Sequence, residues 1–480
     1  FAEPRRLIDK DEAIELLTGA LPDLDTSEVR DRLSSRKGFV WLKREITPKQ
    51  QLDIHRLGLP GVGFLRENKR VYPTGNEVAH LIGLVNIDNQ GIAGMEKWLD
   101  NNGLADLHRA GFATDRLQKP VELSIDLRVE HALRDELIKA KEKFKAKAAS
   151  GLVSNVRTGE IVAMVSLPDF DPNNPKEAHD PDRINRLTTG VYEMGSTFKA
   201  FTLAMALDSG RFDLNSMWDA RGPLHYGKFA IHDDHNMGRM INMKEVFYYS
   251  SNIGAGRIAL AMGVDAHKAF LRKMGQLERL RTELPESASP IVPKKWGELN
   301  TVTISFGHGI AVAPLQAVMG IDALVNGGYL IPPTFLKRSE QEAMALARRV
   351  IKPETSDKMR YLMRLNAEIG TAKKADVKGY YIGGKTGTAE KVINGRYAKK
   401  RVLNAFTAIL PADNPKYQLL IMLDEPQPLK ETYGFITSGW NAVPTGGNVI
   451  ARIAPLLGVE PRFDLPPSDR LILAASRATQ

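Results

Sequence analysis

The sequence predicts an α+β protein of two domains. Three observations carry this. The 480 residues exceed what one hydrophobic core usually covers. Strand hairpins are signalled at two distant places in the second part of the chain. The stretch between those hairpins is mostly helical in pattern, so one antiparallel sheet closed by distant segments is the simplest arrangement.

Up to about residue 120 short helical and extended patterns alternate, and this is read as a separate domain, 1–120. Phe39-Val40-Trp41-Leu42 reads as a strand, and Thr47-Pro48 opens a helix with threonine as N-cap and proline in the first turn. The second domain, 121–460, begins with a helix over Leu127 to Lys145. A hairpin follows, Leu152–Val156 with Ile161–Val165 across Arg157-Thr158-Gly159-Glu160. Ser196 to Leu207 and the segments through Asn326 are mostly helical. A second hairpin pairs Phe406–Leu410 with Tyr417–Leu423, a helix follows from about Asn448 to Leu457, and 461–480 reads as a surface tail. No internal repeat is found.

Composition narrows the function classes. The apolar and charged fractions are those of a globular protein. The net charge of +9 is spread along the chain, which argues weakly for nucleic acid and equally well for an anionic surface such as a membrane or cell-wall polymer. The absence of cysteine excludes thiol nucleophiles, thiolate metal sites and disulfides, and leaves the compartment open. The chain starts at Phe1 with no charged start followed by an apolar stretch, so any signal or anchor is expected upstream. The longest uncharged stretch, Leu299 to Ile321, contains Gly307, Gly309 and Pro314 and reads as a buried loop leading into a helix.

The chemistry concentrates at Gly195-Ser196-Thr197-Phe198-Lys199, which opens an apolar helix. A three-residue spacing puts the Ser196 hydroxyl and the Lys199 amine on one face, a turn apart. A neutral amine there can serve as base. For that its pKa must fall by about 3 from ~10.4, roughly 4 kcal/mol, which burial, the helix dipole and a neighbouring cation can supply. Ser-x-x-Lys alone is weak, since Ser34-Ser35-Arg36-Lys37 also matches but opens no apolar helix. What raises Ser196 is ordered company: Ser250-Ser251-Asn252, then Lys385-Thr386-Gly387-Thr388.

With these three motifs the sequence resembles the penicillin-binding protein and serine β-lactamase superfamily, and within it the class B transpeptidases of the cell-division (septal) type. Further matches are Arg70-Val71-Tyr72-Pro73, Gly91 to Glu96, Ser124-Ile125-Asp126, Ser305-Phe306-Gly307, Gly370-Thr371-Ala372 and Asp424-Glu425-Pro426. The resemblance implies a five-stranded antiparallel sheet flanked by helices, an all-helical subdomain and an N-terminal α+β pedestal. It implies that a D-Ala-D-Ala stem peptide acylates Ser196, with Lys199 as base, Ser250 as proton shuttle and Asn252 holding the substrate amide. Lys385 would sustain the electrostatic field, Thr386, Gly387 and Thr388 would form the facing wall, and the N–H groups of Ser196 and Thr388 would make the oxyanion hole. By the same resemblance β-lactams are covalent inhibitors and no metal or cofactor is needed. The location is the periplasmic face of the inner membrane, and the partners are a membrane glycan polymerase and division proteins. Met194 departs from the proline often found before Gly195, which changes the approach to the helix and not its chemistry.

Other readings compete. Gly379 to Thr386 fits the phosphate-loop pattern, with Leu419 to Glu425 as a strand ending in an acid, but Tyr380-Tyr381-Ile382 is bulky and β-prone for such a loop. His232-Asp233-Asp234-His235 offers metal ligands, yet sits in a turn-rich stretch and reads as a solvated loop. Gly61-Val62-Gly63 is incomplete for dinucleotide binding. A catalytically dead scaffold would need none of the four reactive side chains that are present. Glu298 lies where a deacylating carboxylate could sit, but Trp296 and Thr301-Val302-Thr303 suggest a strand start and a surface carboxylate. Tyr433 and Phe435 are expected to form an apolar wall beside the Lys385 strand.

Overall fold

The computed structural model describes residues 1–102, 120–227, 229–393 and 395–473. Two compact units emerge: Phe1–Val71 with Ile87–Asn89, and Tyr72–Asn86 with Gln90–Gln480. The division therefore falls well before the expected boundary near 120, which itself borders residues outside the described set. Its cause is visible in the packing: Val78, Leu81 and Met95 belong to the large core of the second unit, and Tyr72 exchanges two hydrogen bonds with Asn173.

In the first unit, α1 (Lys10–Ala20), α2 (Thr26–Ser34) and α3 (Pro48–Arg56) enclose Ile14, Leu17, Leu33 and Ile54. The predicted start of α3 holds: Thr47 and Gln50 form a reciprocal capping box with proline in the first turn. The strand expected over Phe39–Leu42 does not form. Val40 and Leu42 are buried, but only Val40 finds a partner, in a single bridge to Ala2.

The second unit is built on a five-stranded antiparallel sheet. Its chain order is α4 (Leu127–Lys143), β1 (Ala148–Asn155), β2 (Ile161–Leu167), a helical region, β3 (Gly383–Ile393), β4 (Arg396–Leu410), β5 (Tyr417–Asp424) and α12 (Ala442–Leu456). The spatial order is β3-β4-β5-β1-β2, so distant segments close one sheet as the hairpins predicted. The strands read as nearly continuous apolar runs because both faces are covered. Leu152, Met164, Leu420 and Met422 point into one core. Val153, Ala163, Leu419 and Ile421 point into the other, against Leu133 and Leu137 of α4 and Ile450 and Ile453 of α12.

The helical region supplies α5 (Lys199–Asp208), α6 (Met243–Tyr248), α7 (Asn252–Met262), α8 (Val264–Lys273), α9 (Glu298–Ser305), α10 (Pro314–Val325) and α11 (Pro353–Ile369). Among the described residues no helix is long and apolar enough to cross a membrane. The uncharged stretch Leu299 to Ile321 is two buried helical segments flanking a loop.

Two expectations are corrected. The Glu298 segment is helical and not a strand start: Asn300 reaches back to the Gly297 N–H at 3.0 Å, and this cap outweighs the β-branched run. Helix α12 starts at Ala442, six residues early. Gly446 and Gly447 look like a loop but permit close packing, since a Cβ at Gly446 would lie 2.5 Å from the Phe406 ring. In the segment after Pro461, Arg462 pairs with Asp413 at 2.6 Å and Ile472 is buried in the core, while most of the residues between them are exposed. Residues 474–480 lie outside the described set.

Candidate active site

Three backbone segments converge: the 3₁₀ turn Gly195–Phe198 leading into α5, the link between α6 and α7, and β3. The turn meets β3 almost backbone to backbone. Gly195 has φ +54, and a Cβ there would stand 2.8 Å from the Thr388 carbonyl oxygen; one at Gly387 would stand 2.5 Å from that of Met194. Glycine at both positions is what brings residues 195–196 against 387–388.

Ser196 is half-buried and Lys199 is wholly buried at the start of α5. The Lys199 Nζ contacts Ser196 Oγ at 2.8 Å, Asn252 Oδ1 at 2.8 Å, the Ser250 carbonyl at 2.5 Å and Ser250 Oγ at 3.0 Å. Asn252 is oriented by donation from its Nδ2 to the His232 carbonyl at 3.1 Å, so its Oδ1 faces the amine. That oxygen and the Ser250 carbonyl can only accept. They occupy both N–H groups of a neutral amine and leave its lone pair for a hydroxyl proton. Burial lowers the Lys199 pKa to about 7, against the attraction of Asp233 and Asp234.

Lys385 is also fully buried on β3, with Nζ 2.9 Å from Ser250 Oγ and 3.1 Å from the Thr386 carbonyl. Burial and then repulsion from Lys199 hold it well below the usual lysine range, opposed by Asp234. Two amines thus bracket one hydroxyl. Ser250 reaches this place in the left-handed region, φ +60, an unfavourable conformation for a residue with a Cβ. Its N–H donates to the Phe247 carbonyl at 3.2 Å and that of Ser251 to Val246 at 3.0 Å, which fixes the reversal between the helices.

Thr386 and Thr388 line β3 beyond Lys385. The Thr388 Oγ1 accepts from the Ser438 N–H at 3.0 Å and keeps its own proton to donate. The Thr386 hydroxyl lies 2.8 Å from that of Thr371, which is held by Asn366 Oδ1, while Asn366 Nδ2 donates to the Gly384 carbonyl at 2.8 Å. Tyr433 and Phe435 are 79% and 53% exposed. Their described ring contacts are with Trp440, at 5.5 and 5.4 Å, and their loop is tied to β3 through Ser438.

Some residues that order this site gave little sign in the sequence. Asp233 lies in the loop read as a metal candidate or solvated turn. Among the described residues no group of three potential ligands could hold a metal. Instead, Asp233 Oδ1 accepts from the N–H groups of Asn252 at 2.6 Å and Ile253 at 3.0 Å, and Oδ2 from the Ser251 hydroxyl at 2.7 Å. It caps the helix that presents Asn252. Asp233→Ala is expected to lower stability by about 1 kcal/mol, the usual cost of a lost cap, and to slow acylation, with Asp233→Asn recovering part of both. Thermal unfolding and a labelling time course check this; unchanged acylation in Asp233→Ala would leave the aspartate a helix cap only. Asn366, in the last turn of α11, carried no signal at all.

The model of the penicillin binding protein transpeptidase domain matches residues 149–439. The chain belongs to the penicillin-binding protein transpeptidase family. This transpeptidase is 40% identical over 474 residues to the probable peptidoglycan D,D-transpeptidase FtsI of Caulobacter vibrioides, covering 97% of this chain and 79% of the relative. It is 31% identical to the peptidoglycan D,D-transpeptidase FtsI of Escherichia coli K12, covering 91% and 76%. Among solved structures, penicillin-binding protein 3 from Mycobacterium tuberculosis complexed with aztreonam gives a TM-score of 0.71 at 25% identity, covering 85% of this chain and 93% of that one. The transpeptidase domain of Burkholderia pseudomallei penicillin-binding protein 3 gives 0.63 at 29%, covering 72% and 98%. The phosphate-loop reading falls: Lys385 lies within a strand of the sheet, not in a loop that opens a helix.

Proposed function

We propose that this transpeptidase cross-links peptidoglycan stem peptides in the septal wall through an acyl-enzyme on Ser196. The observation that carries the reading is a buried lysine, pKa about 7, whose amine sits 2.8 Å from a half-buried serine hydroxyl. Lys199 takes the Ser196 proton as Oγ attacks the carbonyl of the D-Ala-D-Ala bond. The oxyanion is held by the N–H groups of Ser196 and Thr388. Ser250, between the two amines, passes a proton to the departing D-alanine nitrogen. An amine of a second stem peptide then attacks the ester, and Ser196 regains its proton. Asn252 holds the donor amide, while Thr386, Gly387 and Thr388 receive its terminal carboxylate in the field of Lys385. Acylation with a fluorescent penicillin and peptide mass mapping test this: label on the peptide containing Ser196 is expected, and label elsewhere sinks it.

The acyl-enzyme should persist. Glu298 is exposed in the first turn of α9, where it accompanies a helix start. A chromogenic β-lactam is expected to give a stoichiometric burst followed by an acyl-enzyme lasting many minutes, identical in Glu298→Gln. Sustained turnover that vanishes in that variant would make the chain a β-lactamase.

Tyr433 and Phe435 act in this reading as an apolar wall for substrate and inhibitor side chains. The support is their exposure and the tie from their loop to Thr388. Tyr433→Ala should slow acylation by β-lactams with large side chains by roughly three- to tenfold, the scale of one partly covered ring. Equal rates for every β-lactam would remove the wall. The setting is the periplasmic face of the inner membrane, with a glycan polymerase and division proteins as partners. The net charge of +9 suits an anionic wall polymer. Failure of the full-length protein to co-purify with a septal glycan polymerase would count against those partners.

A further inference from the structure

On the face of the sheet covered by α4 and α12, opposite α5, lies a cavity of about 290 Å³ that none of the proposed catalytic groups lines. Phe144 and Trp440 supply flat apolar surface, Lys139, Lys143 and Lys374 supply positive charge, and Glu136 and Glu431 supply negative charge. Lys139 pairs with Glu136 at 3.1 Å. Lys143 pairs with Glu431 at 3.0 Å, an exposed contact of little strength. Lys374 is exposed and has no carboxylate partner among the described residues; its Nζ rests 3.0 Å from the centroid of the Trp440 ring. With Lys139 and Lys143 offset by Glu136 and Glu431, the excess positive charge of the cavity is that of Lys374, held against a ring face.

The same tryptophan packs on the loop that is tied to β3. Phe435 stacks on Trp440 at 5.4 Å and Tyr433 meets it edge-on at 5.5 Å, and the backbone of that loop donates to Thr388 Oγ1 at 3.0 Å. An anion that draws Lys374 off Trp440 therefore changes the packing of the ring on which this loop is ordered.

We infer that this cavity is a second ligand site, for an amphiphilic anion carrying an aromatic ring, and that occupancy is transmitted through Trp440 to the Thr388 end of β3. The ring packs against Trp440 and Phe144, and the anionic group pairs with Lys374. Binding stands on the cavity alone; transmission rests on the reading of Ser196 as the acylated residue.

The test uses 8-anilinonaphthalene-1-sulfonate as probe. Fluorescence titration should show one saturable site, weakened roughly tenfold in Lys374→Met and retained in Lys374→Arg, as loss of a charge-assisted contact demands. Saturating probe should change the rate of acylation by fluorescent penicillin in the wild type by roughly fivefold, the low end of ordinary coupling, and leave Lys374→Met at its unliganded rate. Wild-type affinity in Lys374→Met overturns the site. Lysine-dependent binding without any effect on acylation overturns the transmission. Loss of acylation in the probe-free wild type would instead count against the proposed function, because binding is read independently by fluorescence.

Discussion

Ser196→Ala is expected to abolish covalent labelling by β-lactams. The reason is geometric. Covalent capture needs a nucleophile that is open to solvent and also in contact with a neutral base, and the described site supplies this combination at Ser196. Its Oγ is half-buried and 2.8 Å from the Lys199 amine. The other hydroxyl on that amine, Ser250 Oγ, lies between Lys199 and Lys385 at 3.0 and 2.9 Å and is shared by both. Alanine removes the attacking atom but leaves Met194, Gly195 and the contact with β3 undisturbed, so the fold should survive. Labelling of Ser196→Ala at the wild-type rate, seen by in-gel fluorescence, would refute the assignment.

The legible and illegible parts of this molecule separate along physical lines. Strand hairpins were visible because their signals are local: apolar runs bounded by turns, at Arg157 to Glu160 and between Leu410 and Tyr417. The contact between Lys199 and Ser196 was legible because a three-residue spacing on a helix is a statement about one face. Asp233 was not, since a carboxylate that caps a helix 19 residues onward leaves no local periodicity. The start of helix α12 was missed for the opposite reason: Pro444, Gly446 and Gly447 suggest a loop, and tertiary packing overrides them. Glu298 shows the same override by a cap. Resemblance to a family covered what pattern could not, the assembly of three distant motifs into one cleft.

Lys199→Ala should lower the acylation rate by roughly 10²–10⁴, the usual loss when a general base is removed. The pH dependence gives the sharper test. In the proposed reaction Lys199 acts as a neutral amine, and burial brings its pKa to about 7. Below that pH the amine carries a proton, its lone pair is lost and Ser196 has no base. The wild-type acylation rate should therefore rise through about pH 7 and level off above it. Asp234 opposes burial by attracting the ammonium form. Asp234→Asn removes that attraction, so less of the amine is protonated at a given pH and the rising limb should move to lower pH. In Lys199→Ala the limb should disappear and leave a low rate without a step near neutrality. Stopped-flow acylation by a chromogenic β-lactam between about pH 5 and 9, roughly the window either side of a neutral-range base, would reveal it. A limb that stays at the same pH in Lys199→Ala would assign the titration to another group and remove Lys199 as the base.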